Sequence, residues 1–230
     1  QNIINSALKN NVEKVINIST DKVTNTINTM GATKLLAERL IMSANNYRGK
    51  KKTKFASVRF GNVLNSRGSI IDLFKNQVKN NEPITITCPE MTRFIMSIPQ
   101  AVDLVLKTAE ISKGGEIFIL KMPVFELREF TNAIIEELAC KYNINSKEIK
   151  IKQIGLRAGE KMYEDLMTEE ESLTTLETKN YFIVLSKEKF DSLKNVEKNK
   201  KTKIDSYSSK NIKPLTKNQL KLILRNNTCI

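Results

Sequence analysis

The stretch that decides the fold runs from residue 12 to residue 41 and reads VEKVINISTDKVTNTINTMGATKLLAERLI. Its first part, residues 12–19, is a short apolar run that predicts a buried strand. After a polar loop, residues 28–45 predict an amphipathic helix, and we expect its apolar side to carry Ala32, Leu35, Leu36, Leu40 and Ile41. A buried strand that leads into a helix is typical of α/β folds with a parallel sheet.

The rest of the chain continues this alternation. Ser97 and Gln100 can form a capping box, so we predict a helix from there to Gly114, with an apolar face of Val102, Val105, Leu106 and Ala109. Further strands are predicted at 55–64, 84–87, 117–121, 149–154 and 181–185. Further helices are predicted at 1–10, 70–80, 127–142, 169–176 and 215–224, and the polar segment 187–212 is predicted to be a loose loop.

Composition limits the chemistry. The 230 residues are 40% hydrophobic, enough for a folded core, and they contain no histidine. The three cysteines, Cys88, Cys140 and Cys229, are far apart, so we expect no zinc or other metal site, no disulfide framework, and a reducing compartment. Without histidine, acid–base chemistry falls to Asp, Glu, Lys, Tyr or Cys.

The net charge of +13 is concentrated near the C-terminus, where residues 187–225 hold 12 Lys or Arg against 4 Asp or Glu. We interpret this tail as a solvated surface. The alternative is a patch for nucleic acid or a membrane surface, and the scarcity of aromatic residues disfavours nucleic acid. No apolar run approaches the ~20 residues of a membrane span, and we expect no signal peptide. We therefore expect a cytoplasmic protein.

The eight glycines form no GxGxxG motif and no P-loop. The sequence starts at Gln1, in what we interpret as the end of a helix. We therefore expect that the N-terminal half of a dinucleotide-binding fold is missing from this chain.

The segment Ser19-Thr20-Asp21-Lys22 follows the first predicted strand. Ligands of open parallel sheets bind beyond the carboxyl ends of the strands, which makes this segment a candidate site. Asp21 and Lys22 can act as an acid–base pair, although an ion pair in a surface turn is the simpler interpretation. Met30 and Lys34 lie four residues apart and share a helix face.

Residues 17–38, NISTDKVTNTINTMGATKLLAE, resemble the signature of the nucleotide-sugar 4,6-dehydratases of the polysaccharide biosynthesis (capsule) family, in the extended short-chain dehydrogenase/reductase class. Many members of that family carry Met where other members of the class have Tyr, here Met30. Four more stretches follow in the family's order: VRFGNVLNSRGSIIDLF (58–74), PITITCPEMTRFIMSIPQAVDLVL (83–106), GEIFILKMP (115–123) and IGLRAGEKMYEDLMTEEE (154–171). Departures from the family pattern are Thr24, Thr26, Asn65 and Ala158.

The resemblance implies the C-terminal part of a Rossmann-type doubly wound parallel sheet with a smaller α/β substrate-binding domain. We expect residues 1–80 and about 95–122 to form the NAD(P)-binding domain, and 81–94 and 123–186 the nucleotide-sugar domain. Residues 187–230 would be a basic polar tail with a short helix.

The resemblance also implies a reaction, the dehydration of UDP-N-acetylglucosamine to its 4-keto-6-deoxy derivative, with a tightly bound NAD or NADP that is regenerated in each turnover. Asp21 would be the acid for the C6 hydroxyl and Lys22 the base at C5, which requires an uncharged lysine. Thr20 would hydrogen-bond the 4-hydroxyl, and Lys34 would hold the cofactor ribose.

The same resemblance assigns binding residues. Those expected at the cofactor are Ser19, Met30, Lys34, Phe60 and Val63. Those expected at the UDP-sugar are Asn62, Arg67, Arg93, Arg157 and Glu160, with Asn62 at the diphosphate and Glu160 at the uridine ribose. We also expect a homo-oligomer for the full-length protein and no turnover by this chain alone.

Two alternatives stay open. An epimerase of the same class would normally keep Tyr at position 30 and would not need the Asp21–Lys22 pair. A non-catalytic module would use the basic tail to bind nucleic acid or an acidic membrane. The choice between NAD and NADP is also open, while Met30 favours family members that retain the C5 configuration.

Overall fold

A computed structural model describes residues 1–193 and 200–227 of the chain. The helices in these residues are α1 Asn2–Lys9, α2 Thr29–Tyr47, α3 Ile70–Lys79, α4 Ile98–Ile111, α5 Leu127–Tyr142, α6 Glu169–Ser172, α7 Lys187–Leu193 and α8 Lys217–Asn226. The strands are β1 Lys14–Ile18, β2 Lys54–Arg59, β3 Asn62–Val63, β4 Ile84–Ile86, β5 Thr92–Met96, β6 Ile117–Leu120, β7 Val124–Glu126, β8 Ile151–Gln153, β9 Asp165–Met167, β10 Thr175–Glu177, β11 Tyr181–Val184, β12 Lys200–Lys201 and β13 Tyr207–Ser208.

These elements form two compact units. Unit 1 contains residues 1–61, 101–121 and 165–208, and unit 2 contains residues 62–100, 122–164 and 209–230.

Unit 1 is built on a sheet with the strand order β1-β2-β6-β11-β10-β12. The first three strands are parallel, and the others are antiparallel to their neighbours. Phe55 packs with Ile41 of α2, whereas Val58 packs with Leu104 of α4. Phe55 and Val58 are three residues apart and face opposite sides of the sheet, so α2 and α4 cover opposite faces. The predicted α/β fold with a Rossmann-type parallel sheet is confirmed.

A buried ion cluster ties three elements of unit 1 together. Arg59, at the end of β2, donates to both oxygens of Glu38 on α2 at 2.9 and 2.5 Å. It also donates to both oxygens of Glu171 on α6 at 2.8 and 2.7 Å, and to the Leu166 carbonyl at 3.1 Å. Burial opposes ionisation of Glu171, but the hydrogen bonds and charge of Arg59 outweigh it and lower the pKa of that carboxyl.

Unit 2 has its own core between helices and two small sheets. β3, β5 and β7 form one sheet, and β4 pairs in parallel with β8. Leu127, Phe130, Ile134 and Leu138 of α5 are all buried in this core.

The C-terminal helix α8 belongs to this core. Leu220 and Leu224 are fully buried in it. Lys217 and Lys221 donate to Glu136 at 2.6 and 2.9 Å and lower the pKa of its carboxyl, and Arg225 pairs with Glu137 at 2.7 Å. These cations of the predicted solvated tail therefore fasten α8 to α5.

Two predicted helix faces are wrong in part, although Leu40 and Ile41 of α2 and Val105 of α4 do pack against the core. On α2, Leu36 is 61% exposed while Glu38 is fully buried, because the Arg59 cluster draws the carboxylate inward. On α4, Val102 and Leu106 are exposed, and Leu104 and Thr108 face the core instead.

Two predicted segments are also wrong. The helix predicted for 169–176 ends at Ser172, because Thr175 begins β10 and pairs with Val184 of β11. The predicted loop 187–212 contains α7 and β13, and β13 pairs with β9. Residues 194–199 of that loop and Cys229 lie outside the described residues. In the described part of the chain, no helix is long and apolar enough to cross a membrane.

We expect Arg59→Met to destabilise the protein by about 3–5 kcal/mol, because it removes the cation that is paired with the buried Glu38 and the partly buried Glu171 carboxylates. Urea unfolding at pH 7 measures this, and the exposed neighbour Arg39→Met is the control, with a loss under about 1 kcal/mol. The pKa of Glu171 is lower in the folded protein than its unfolded value of about 4.3. The ionised carboxylate therefore stabilises the folded protein above that pH, and this stabilisation is lost as the pH falls through the folded pKa. Equal losses of unfolding free energy in Arg59→Met and Arg39→Met would show that the ion cluster does not stabilise unit 1.

The pair Leu220 and Leu222 tests the docking of α8. Leu220 is fully buried and Leu222 is 60% exposed on the same helix. We expect Leu220→Ala to cost about 2–5 kcal/mol and Leu222→Ala less than about 0.5 kcal/mol in urea unfolding. If both substitutions cost little, α8 does not complete the core in solution.

Candidate functional site

The predicted acid–base pair sits in a tight turn at the carboxyl end of β1 in unit 1. Residues Asp21–Val23 form a single 3-10 turn, and Asp21 is 4% exposed. Thr20 Oγ1 donates to Asp21 Oδ1 at 2.7 Å, and Lys22 Nζ lies 3.2 Å from both carboxylate oxygens. The structure therefore brings these three predicted residues together.

The backbone around this turn is fixed from several sides. Thr24 Oγ1 donates to the Asp21 carbonyl at 2.6 Å and also contacts the Asp165 carbonyl. Gly31, in the first turn of α2, lies so close that an added Cβ would be 2.4 Å from the Lys22 carbonyl oxygen. Asn28 caps α2 by accepting from the Gly31 amide at 2.8 Å. The turn and the start of α2 are thus packed without spare space.

Three of the predicted cofactor residues surround the end of β1. Lys34 Nζ donates to the Ile18 carbonyl at 3.1 Å, and Met30, one turn earlier, is about half exposed. Ser19 Oγ is buried and has no hydrogen-bond partner among the described residues. Ser19 and Lys34 therefore offer hydrogen-bond donors that the described chain leaves uncommitted. Phe60 packs in the core of unit 1 beside Val58.

Unit 2 contains a cavity of about 400 Å³. Asn62, Arg93, Arg157 and Glu160 line it, as does Val63, whereas Arg67 is exposed and is not part of its wall. Its apolar wall includes Ile86 of β4, Phe125 of β7, and Leu127 and Phe130 of α5.

The N-terminus of α3 opens into this cavity. Ser69 holds the capping position, but its hydroxyl caps no amide, is buried and has no partner in the described part of the chain. Ser66 and Gly68 of the preceding loop also line the cavity. A helix N-terminus with free amides and a free hydroxyl suits an anionic group.

The charged residues of the cavity wall are held differently. Arg93 Nε lies 3.2 Å from Glu164, and its Nη atoms donate to the carbonyls of Thr92 and Lys161 at 2.8 and 2.7 Å. Arg157 is exposed, and its backbone amide donates to Glu160 at 3.1 Å. Arg93 is thus engaged by its own unit, while the Arg157 side chain faces solvent.

Two buried carboxylates near these residues are not predicted by the sequence pattern. Glu164 is buried beneath Asn62, and Glu38 is buried against Arg59. Glu38 interrupts an apolar helix face, which is a signal for a buried ion pair. The sequence carries no comparable signal for Glu164, because its partners lie some 70 and 100 residues away.

No group of three or more His, Cys, Asp or Glu side chains among the described residues is placed to hold a metal ion.

Residues 1–186 match the family described as polysaccharide biosynthesis protein. The chain is 53% identical over 225 residues to an uncharacterized membrane protein of Methanocaldococcus jannaschii, which covers 98% of this chain and 65% of that protein. It is 40% identical to a UDP-glucose 4-epimerase of Rickettsia bellii, covering 98% of this chain and 65% of that protein. It is 38% identical to a UDP-N-acetylglucosamine 4,6-dehydratase (inverting) of Campylobacter jejuni, covering 83% and 54%.

Among solved structures, Pen from Bacillus thuringiensis superposes with a TM-score of 0.90 at 43% identity, covering 100% of this chain and 67% of that one. The chain spans between 54% and 65% of the length of the three curated relatives named above.

Gly31→Ala tests the packing of the turn against α2. We expect a destabilisation of about 1–3 kcal/mol, because the added methyl group collides with backbone at Lys22 and the turn must move. Thermal and urea unfolding measure it, with Thr33→Ala, exposed in the same helix turn, as the control. A stability gain from Gly31→Ala would show that the turn does not press on α2.

Proposed function

This chain belongs to the polysaccharide biosynthesis protein family, and from that premise we propose that it forms the catalytic part of a nucleotide-sugar dehydratase. The substrate is UDP-N-acetylglucosamine and the product its 4-keto-6-deoxy derivative. The observation that carries the proposal is the buried Asp21 carboxylate, held between the Thr20 hydroxyl and the Lys22 ammonium at the carboxyl end of β1. Unit 1 is the NAD(P)-binding domain and unit 2 the nucleotide-sugar domain.

The residues around β1 fit a nicotinamide dinucleotide. Ser19 Oγ has no other partner among the described residues, and Lys34 Nζ uses one donor on Ile18, which leaves donors for a ribose and a carboxamide. When bound, NAD(P) supplies reversible hydride transfer. Met30 carries no exchangeable proton, so proton transfer falls to the turn at 20–22.

The Asp21–Lys22 pair then performs the elimination. A proton that moves from Lys22 Nζ to Asp21 across 3.2 Å converts the ion pair into a neutral acid and a neutral amine. The amine removes the C5 proton, and the acid protonates the departing C6 hydroxyl. Thr20 hydrogen-bonds the 4-hydroxyl and orients the sugar.

The cavity of unit 2 binds the UDP portion. The diphosphate lies at the N-terminus of α3, where Ser69 and the first amides of the helix are free to donate. Arg157 contributes charge from the exposed loop, Arg67 adds charge beside Gly68, and Glu160 accepts from the uridine ribose. A homo-oligomeric full-length protein in the cytoplasm stays a prediction from the sequence.

A second candidate is epimerisation of a UDP-hexose. It is favoured by the relatives named UDP-glucose 4-epimerase, which align along 98% of this chain. The Asp21–Lys22 pair favours dehydration, because epimerisation at C4 needs no acid for a departing hydroxyl. The third alternative, a basic binding module, loses support because Lys217, Lys221 and Arg225 are already paired with α5.

One assay separates these functions. The 230-residue chain is extended at its N-terminus with the segment that precedes the matched region in its relatives, and is given UDP-N-acetylglucosamine with NAD⁺ or NADP⁺. We expect the 4-keto-6-deoxy sugar by NMR, and a C4 epimer in its place would select the second candidate. The chain alone, which has no Gly-rich dinucleotide turn, is expected to show no turnover.

Substitutions assign the pair. In the extended protein, Asp21→Asn and Lys22→Met should each lower kcat at least about 100-fold and leave the affinity for UDP nearly unchanged. The exposed Lys147→Met is the matched control. Full activity in either variant would refute the roles given to Asp21 and Lys22.

A further inference from the structure

We infer that Asn62 offers only a hydrogen-bond acceptor to the cavity of unit 2, that Glu164 locks it in this orientation, and that the ligand group it meets is a donor. Under the proposed function, on which this inference rests, that group is a hydroxyl or amide N–H of the nucleotide sugar. It is not the diphosphate, which has acceptors only.

The amide of Asn62 has its orientation fixed by chemistry. Its Nδ2 lies 3.1 Å from the Phe94 carbonyl oxygen and 3.1 and 3.0 Å from the two oxygens of Glu164. A carbonyl and an ionised carboxylate only accept, so the atom between them must be the nitrogen. Both of its N–H groups are used there, and Oδ1 is the group of Asn62 that has no partner among the described residues.

Breaking the contact between Glu164 and Asn62 would cost free energy, because Glu164 is buried and held by other donors. It is 5% exposed and accepts the Phe94 backbone amide at 3.2 Å in addition to Asn62. Arg93 Nε lies 3.2 Å from its other oxygen. If the Asn62 amide were rotated by 180°, its carbonyl oxygen would face the buried Glu164 carboxylate. Two hydrogen-bond acceptors would then lie against each other with no donor between them, which costs free energy.

Arg93 holds Glu164 in the position that orients Asn62. Its Nη atoms donate to backbone carbonyls on two segments, at Thr92 and Lys161, and one lies 3.8 Å from Glu160. A guanidinium bound in this way neutralises Glu164 and fixes the wall. We therefore assign Arg93 and Glu164 as positioning residues, in contrast to the sequence expectation that Arg93 contacts the UDP-sugar and Asn62 its diphosphate.

The ligand test uses the 230-residue chain, in which the described residues that line the cavity all lie in unit 2. Calorimetry compares UDP-N-acetylglucosamine with analogues in which fluorine replaces one sugar hydroxyl at a time, or an ester oxygen replaces the amide N–H. One analogue should bind about tenfold more weakly to the wild type, because its donor is gone. Asn62→Ala should bind UDP-N-acetylglucosamine about tenfold more weakly than the wild type does. Its affinity for that one analogue should be no lower than its affinity for UDP-N-acetylglucosamine.

Two results would overturn the inference. In one, Asn62→Ala loses the same factor with every analogue as the wild type does, so that no donor is coupled to Asn62. In the other, Asn62→Ala weakens inorganic pyrophosphate as much as the nucleotide sugar, which would place the side chain at the diphosphate.

The orientation of the Asn62 amide by Glu164 is tested without ligand. The side-chain NH₂ signals of Asn62, assigned by their loss in Asn62→Ala, should exchange slowly with solvent in the wild type. Exchange should be at least about tenfold faster in Glu164→Gln and unchanged in Glu148→Gln, an exposed control of the same unit. Equal exchange in all three proteins would disprove the role of Glu164. If the wild type binds no UDP-sugar, the proposed placement of UDP in this cavity fails, and the exchange measurement still decides whether Glu164 orients Asn62.

Discussion

The buried guanidinium of Arg59 is the constraint on which unit 1 depends. Its five N–H groups are shared among Glu38 on α2, Glu171 on α6 and the Leu166 carbonyl. Desolvating three charges is costly, and the cost is offset only because the bonds to both carboxylates are bidentate. The cluster therefore fixes the rotation of α2 about its axis, and with it the face on which Met30 and Lys34 lie.

That rotation reaches the candidate site through the start of α2. A Cβ added at Gly31 would lie 2.4 Å from the Lys22 carbonyl oxygen, and Lys34 donates to the Ile18 carbonyl at the end of β1. The Asp21–Lys22 pair is therefore held by backbone packing from α2 and by Thr24, and does not depend on the mutual attraction of a partly exposed ion pair, which is small.

Unit 2 uses a similar principle for a different purpose. Glu164 gathers Asn62, Arg93 and the Phe94 amide around one buried carboxylate. In unit 1 a cation is shared by two carboxylates, and in unit 2 a carboxylate is shared by several donors. In both units the buried charge orients polar side chains near the candidate site, while the apolar core fixes the helices.

The sequence by itself determined the order and type of most elements, because apolar periodicity and capping residues such as Ser97 and Gln100 are local properties. It also determined that Thr20, Asp21 and Lys22 lie together at a strand end. Only the tertiary structure decided which helix faces are buried, as Glu38 and Leu36 show, and that 207–208 pair with 165–167. It alone joined Asn62 to Glu164. These features depend on partners some 20 to 110 residues away, and a pattern within one segment carries no information about the charge or strand that meets it.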